Sequence, residues 1–97
     1  MLHHVVVFRF VADITDEQRR AVVDGLCALP ETIDVIRTFA VGTDVGAADG
    51  NDDLAVTATF DDVDSWRTYA EHPQHQRFIA EVMRPVLADR HAVQFST

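Results

Sequence analysis

Tyr69 and His75 carry the residue types in this 97-residue chain that are best suited to chemistry. They bound a short segment in which a phenol and two imidazoles, those of His72 and His75, flank Pro73. Histidine titrates near neutral pH without help from its surroundings, and both histidine and tyrosine act as proton donors or acceptors in enzymes. Proton transfer is therefore the chemistry that this segment predicts.

The composition of the chain disfavours some classes of binding partner. The 16 acidic residues outnumber the 8 basic ones and give a formal net charge of −8, which disfavours nucleic acids and anionic membrane surfaces. No apolar run approaches the roughly 20 residues that a membrane-spanning helix needs. The first residues lack the basic and small-residue features of a signal peptide, so we expect a cytoplasmic protein, and the length predicts a single domain over residues 1–97.

The sequence gives no indication of a metal or a cofactor. His3 and His4 are adjacent and lie on opposite faces of a strand, while Pro73 disturbs the spacing of His72 and His75. Three glycines spaced four residues apart match neither a dinucleotide fingerprint nor a P-loop, so we expect no cofactor. The single cysteine, Cys27, falls within a helical pattern and is predicted to be a small buried hydrophobe.

The first half of the chain predicts a strand, a helix and two further strands. Residues 3–11 alternate, and one face carries Leu2, His4, Val6, Phe8 and Phe10. Thr15 and Gln18 have the spacing of a capping box that starts a helix, which Pro30 is expected to end after Leu29. Residues 33–41 predict a second strand, residues 42–53 a glycine-rich and acidic loop, and residues 54–60 a half-buried third strand.

The second half predicts a helix, a break, another helix and a final strand. Asp61 or Asp62 is expected to cap the first helix, whose apolar positions include Trp66 and Tyr69. His72 is expected to cap a second helical segment that Pro73 begins. That segment is expected to end at Pro85, and its apolar face carries His75, Phe78, Ile79 and Val82. Residues 88–95 predict the final strand.

This order of elements predicts a ferredoxin-like α+β sandwich with a split β-α-β pattern. In that topology the first and third strands lie at the centre of the sheet, and the helices cover one face. The opposite face carries Val5 and Val7 and would stay exposed in a monomer. Since exposed apolar faces of this size mark interfaces, we expect a homodimer that pairs through the sheet face opposite the helices.

The topology also predicts a pocket between sheet and helices. Its floor is expected to carry His4, and its roof Tyr69 and His75, which together form a proton-transfer set. The residues predicted to bind a ligand there are His4, Val6, Phe8, Val22, Leu26, Val56 and Phe78. The alternative interpretation is that the tyrosine and histidines only fill gaps in a small core and bond to backbone groups.

The sequence resembles the stress-responsive A/B barrel family, or Dabb domain, along essentially its whole length. The specific part of the resemblance is the pattern Y-x-x-H-P-x-H-x-x-F at residues 69–78. The less specific parts are the opening HHVVVFRF at residues 3–10, the Thr15-x-x-Gln18 helix start, Leu29-Pro30, Ile33, Ala55-Val56, Phe60 and the closing Val93-x-Phe95. The resemblance implies the dimeric α+β barrel fold, in agreement with the pattern of elements.

What the resemblance implies about activity is narrower. Many members of the family are described only as stress-responsive, whereas the plant olivetolic acid cyclase folds a linear polyketide thioester by intramolecular aldol condensation. By that likeness His75 would abstract the substrate proton and Tyr69 would hydrogen-bond the thioester carbonyl, with His4 beside the pocket. Val22, Val23 and Leu26 stand where the cyclase has aromatic residues, so its polyketide specificity does not transfer.

Three functions remain open from the sequence. The first is a small dimeric stress-response module that binds a small, largely apolar or aromatic ligand. The second is a cofactor-free cyclase or lyase that uses His75 as general base and Tyr69 as hydrogen-bond donor on an aromatic or polyketide-like substrate. The third is a purely structural dimer in which the histidines only pack.

Overall fold

Four strands and three helices follow one another in the predicted order. The computed structural model describes residues 1–97, and its first half consists of β1 (Leu2–Phe10), α1 (Asp16–Thr32), β2 (Thr38–Thr43) and β3 (Leu54–Phe60). Its second half consists of α2 (Val63–Glu71), α3 (Pro73–Phe78), a π-helical turn (Ile79–Met83), a 3₁₀ turn (Arg84–Val86) and β4 (Leu87–Ser96).

The strands form one antiparallel sheet in the order β2-β3-β1-β4. The central position of β1 and β3 confirms the predicted topology, and the fold is ferredoxin-like. In β1, His4 lies opposite Ala58 of β3 and Gln94 of β4, so these three residues share the face that the helices cover. None of the helices is both long and apolar enough to cross a membrane.

Side chains at the predicted helix starts provide the caps. The Thr15 hydroxyl accepts a hydrogen bond from the Gln18 amide, and the Gln18 side chain accepts one from the Thr15 amide, which completes the capping box. Asp62 caps α2, and Nδ1 of His72 accepts a hydrogen bond from the Gln74 amide at the start of α3. These local signals fix where the helices of the second half begin.

The predicted end of α1 at Pro30 is wrong, because the helix continues through the proline to Thr32. Ile33 then caps the helix: its amide donates to the Leu29 carbonyl, and its side chain is only 2% exposed. Pro30 removes one backbone donor near the end of the helix, and burial of Ile33 holds the chain in place despite that loss. Because Ile33 caps the helix, it is not part of the second strand, which begins at Thr38.

Cys27 is exposed, which contradicts the prediction that it is buried. The buried positions of α1 are Val22, Leu26 and Leu29, a stripe at the i, i+4, i+7 spacing. Cys27 follows Leu26 by one residue, and one residue corresponds to about 100° of rotation around the helix. Its side chain therefore points away from the core.

The segment before Pro85 is not the single helix that the sequence predicted. After Phe78 the chain widens into the π-helical turn and then tightens into the 3₁₀ turn that contains Pro85. Met83 and Val86 are buried through this change of winding. Such single π turns inside helices are rare and occur frequently at functional sites.

Candidate proton-transfer site

A cavity of about 370 Å³ lies between the helices and the covered face of the sheet. It holds most of the residues that the sequence placed in a pocket: His4, Val6, Phe8, Leu26, Val56, Tyr69 and His75. The sequence prediction did not include the other residues that line it, which are Trp66, Ala70, Gln76, Ile79, Met83, Arg84, Leu87 and Arg90. Ten of the fifteen lining residues are hydrophobic.

Val22 and Phe78 lie outside the lining of this cavity, unlike the other predicted ligand-binding residues. The Val22 side chain is fully buried in the core beneath α1. The Phe78 ring packs against Gly25, where a Cβ atom would lie 2.4 Å from the ring. Neither residue therefore faces this cavity.

The break between α2 and α3 positions His75. Its Nδ1 lies 3.0 Å from the carbonyl oxygen of Ala70, near the end of α2. A carbonyl oxygen can only accept a hydrogen bond, so Nδ1 carries the proton and Nε2 keeps its lone pair. The ring lines the cavity, and in this neutral tautomer it can accept a proton only at Nε2.

His4 has the opposite tautomer. Its Nδ1 lies 2.9 Å from the side-chain amide nitrogen of Gln94 on β4, which donates to it. Nδ1 therefore accepts, and the neutral ring carries its proton on Nε2. Burial lowers the pKa of His4 to about 4, with smaller contributions from the positive charge of Arg90 and from His75 when it is protonated, so the ring is neutral at pH 7.

His75 and Tyr69 are also neutral at pH 7. Burial lowers the pKa of His75, and nearby Arg90 lowers it further, while the hydrogen bond to Ala70 partly opposes the change. Burial raises the pKa of Tyr69 to about 12, so its hydroxyl keeps its proton. The cavity thus combines an uncharged base with an uncharged donor.

The rings are close enough to act on one small molecule. The Tyr69 ring centroid lies 4.4 Å from that of His75 and 6.4 Å from that of His4. Trp66 lies one helical turn before Tyr69 on α2, and its ring centroid is 5.9 Å from that of His4. Its Nε1–H is buried and has no acceptor in the protein. The i, i+3 spacing of Trp66 and Tyr69 places both side chains on one face of α2, and this spacing is the sequence signal that could have identified Trp66 as a lining residue.

No cluster of three or more histidine, cysteine, aspartate or glutamate side chains has the arrangement of a metal site. The chemistry available from the residues present is abstraction of a proton by a neutral imidazole, with a phenol to stabilise the negative charge that develops. An apolar lining strengthens both interactions because it excludes water from them.

Solved structures with the same fold come from bacteria and from a plant. A dimeric ferredoxin-like protein from Thermobifida fusca YX is 40% identical, with a TM-score of 0.91 over 99% of this chain and 90% of that chain. A dimeric protein from Bacteroides fragilis is 26% identical, with a TM-score of 0.84 over 99% and 95%. A hydroxynitrile lyase from Passiflora edulis is 20% identical, with a TM-score of 0.83 over 97% and 90%.

Among curated proteins, no sequence matches this chain. The sequence profile of the stress responsive A/B barrel domain, Dabb, matches residues 2–97, which is nearly the full length. The chain therefore belongs to the Dabb family.

Proposed function

We propose that this protein is a cofactor-independent enzyme of the lyase or cyclase type, acting on a small, largely apolar or aromatic carbonyl compound. The observation that carries the proposal is the hydrogen bond from Nδ1 of His75 to the Ala70 carbonyl. That bond leaves an unprotonated Nε2 beside Tyr69 in an apolar cavity.

The reaction step is abstraction of a proton next to the substrate carbonyl. The C–H bond breaks, the proton passes to Nε2 of His75, and the electron pair moves into an enolate. The Tyr69 hydroxyl donates a hydrogen bond to the enolate oxygen, where the negative charge develops. The imidazolium then returns the proton to carbon or to a leaving group.

Two further donors support binding of a carbonyl compound. Trp66 lines the cavity, and its buried Nε1–H lacks a protein acceptor. Buried donors without partners are rare, and a ligand oxygen would satisfy this one. His4 carries its proton on Nε2 and offers a second donor. A ligand with at least one acceptor oxygen fits these groups better than a hydrocarbon does.

The active unit is proposed to be a homodimer of this single domain. The sheet face opposite the helices exposes Val93 at 57% and Phe95 at 47% in one chain. The similar proteins from Thermobifida fusca YX and Bacteroides fragilis are dimeric. Pairing two such faces would bury these side chains and leave both cavities open. The cytoplasmic location and a role in stress stay predictions.

The hydroxynitrile lyase from Passiflora edulis supports the reaction class in one respect. Its structure has the fold of this chain, so the scaffold accommodates a lyase. At 20% identity the likeness extends to the fold alone, and the substrate proposed here rests on the cavity of this chain.

Exchange of carbon-bound protons tests the proposal directly. The homodimer is incubated with 4-phenylbutan-2-one in buffered deuterium oxide, and loss of the signals next to the carbonyl is followed by proton NMR. Wild-type protein is expected to accelerate exchange, and His75→Asn to reduce the acceleration by about 100-fold or more. Asparagine keeps an amide donor near the position of Nδ1 and removes the base. Tyr69→Phe is expected to reduce the acceleration of exchange by a similar factor.

His72→Asn is the matched control. His72 lies outside the cavity lining, and asparagine is a favourable cap for the start of α3, so both fold and exchange should be retained. Equal exchange by wild type and His75→Asn would disprove the proposed base. Loss of folding in His75→Asn, seen by circular dichroism, would instead assign the ring to core packing.

Binding without turnover is the second candidate function. Tyr69 is only 4% exposed, and its ring centroid lies 5.3 Å from that of Phe60, as in ordinary core packing. A binding module would take up the ketone with an affinity that His75→Asn alters, and would exchange no protons in the wild type. Calorimetry and the exchange assay on the same samples separate the two functions.

A further inference from the structure

Two arginines, Arg84 and Arg90, are the charged residues that line the cavity. No aspartate or glutamate lies among its lining residues. This is unexpected in a chain with a net charge of −8 and twice as many acidic as basic residues. The electrostatic character of the cavity is therefore opposite to that of the protein as a whole.

Three of the eight arginines are neutralised by carboxylates on the surface. Arg9 pairs with Asp52, Arg37 with Asp61 and Arg67 with Asp64. Arg84 and Arg90 take part in none of the ion pairs of the structure. Both are exposed, so water solvates them at the rim, and their charges remain available to a ligand.

The two side chains reach the cavity from different elements. Arg90 lies on β4 opposite Phe8 of β1, on the face that the helices cover. Arg84 begins the 3₁₀ turn, directly after the π-helical turn that brings Ile79 and Met83 to the same cavity. Two consecutive elements, with the arginines six residues apart in sequence, thus bring guanidinium groups to one apolar cavity.

We propose that the ligand is an aromatic or apolar keto acid whose carboxylate binds Arg90, with Arg84 beside it. The inference deepens the proposed function and rests on it, since it concerns the same cavity. A guanidinium matches a carboxylate with two parallel hydrogen bonds, and such charge-assisted bonds are about twice as strong as neutral ones. The cavity volume of about 370 Å³ suits a small acid of this kind.

The carboxylate would also orient the substrate. With its acidic end held at the rim, the apolar body lies inward, and its carbonyl can reach the donors of Tyr69 and Trp66. Burial is the main influence on the pKa of His4, Tyr69 and His75, and the Arg90 charge adds a smaller lowering influence on each of the three. A bound carboxylate would offset that charge and make His75 a stronger base when substrate is present.

A pair of probes that differ only in charge tests the inference. Binding of 3-benzoylpropanoate and of its methyl ester to the homodimer is measured by isothermal titration calorimetry at low salt. The acid is expected to bind at least about tenfold more tightly than the ester. Arg90→Gln is expected to lower the affinity for the acid to that for the ester. The affinity for the ester is expected to stay unchanged.

Arg77→Gln is the matched control, because it removes the same charge from an exposed residue of α3 outside the cavity lining. It should preserve the preference for the acid. Equal binding of acid and ester to wild type would overturn the carboxylate inference while leaving the proposed function standing. Equal losses in Arg77→Gln and Arg90→Gln would also overturn it, since only net charge would then matter. Failure of both probes to bind would overturn the inference and the proposed function together.

Discussion

Acidification should destabilise this protein through His4, and the size of the effect follows from its burial. The ring is 5% exposed, and its pKa falls from 6.5 to about 4 on folding. Between these values the unfolded chain binds a proton that the folded chain rejects. Stability from this group is therefore fully present above pH 6.5, falls as the pH falls, and is lost once the pH passes through about 4.

The expected magnitude is large for a single side chain. A pKa change from 6.5 to about 4 corresponds to a loss of about 3 kcal/mol at the acid limit. From pH 7 to pH 5 the loss from His4 alone is about 2 kcal/mol. Domains of this size are stable by only about 5 to 15 kcal/mol in total, so the effect is readily measurable.

Urea denaturation followed by circular dichroism measures the effect at pH 7 and pH 5, at one fixed protein concentration. His4→Gln is the informative variant, because glutamine keeps an acceptor for the Gln94 amide and does not titrate. Wild type is expected to lose about 2 kcal/mol more than His4→Gln over this interval. His75 contributes in the same direction in both proteins, so its contribution cancels in the comparison.

If wild type and His4→Gln lose the same free energy of unfolding between pH 7 and pH 5, the reasoning is refuted. A direct NMR titration of the His4 ring gives a second check. A midpoint near the ordinary value of 6.5 would mean that water reaches the ring and that the site is less apolar than its lining indicates.

Three further predictions concern the supports and the chemistry of the site. Gly25→Ala should destabilise the fold by about 1 to 2 kcal/mol in urea denaturation, because overpacking against the Phe78 ring outweighs the gain in helix propensity. Thr15→Ala should cost about 1 kcal/mol through loss of the capping box with Gln18, and an unchanged midpoint would contradict this role. Proton exchange should decline on the acid side with a midpoint below pH 6.5, because burial lowers the pKa of His75 and the base must be neutral; a midpoint above 6.5 would contradict that assignment.

The features that sequence reasoning predicted are those with local causes. The alternation of β1, the capping box of Thr15 and the start of α3 at Pro73 depend on residues close in sequence, and the structure has all three. The continuation of α1 past Pro30 depends on burial of Ile33 against the rest of the fold. No local pattern contains that information, so the sequence alone predicts that the helix ends at Pro30.

The same distinction separates the site residues that were predicted from those that were missed. Tyr69 and His75 stand out by type and spacing. Arg90 resembles any charged residue on an edge strand until its register against Phe8 places it on the helix-covered face. Arg84 reaches the cavity because the π-helical turn changes the winding before it, and single-sequence patterns do not reveal such turns.

The two imidazoles argue most strongly against simple core packing. Each is neutral, yet hydrogen bonds from different elements give them opposite tautomers: the Ala70 carbonyl fixes a bare Nε2 on His75, and the Gln94 amide fixes an Nε2–H on His4. One ring therefore accepts and the other donates, and the Tyr69 ring centroid lies 4.4 Å from that of His75 and 6.4 Å from that of His4. A core that needed only volume would be filled more favourably by apolar side chains, because burial of polar groups is costly. Retaining three of them around a cavity, with two arginines at its rim, is the arrangement expected when the polar partner is a substrate.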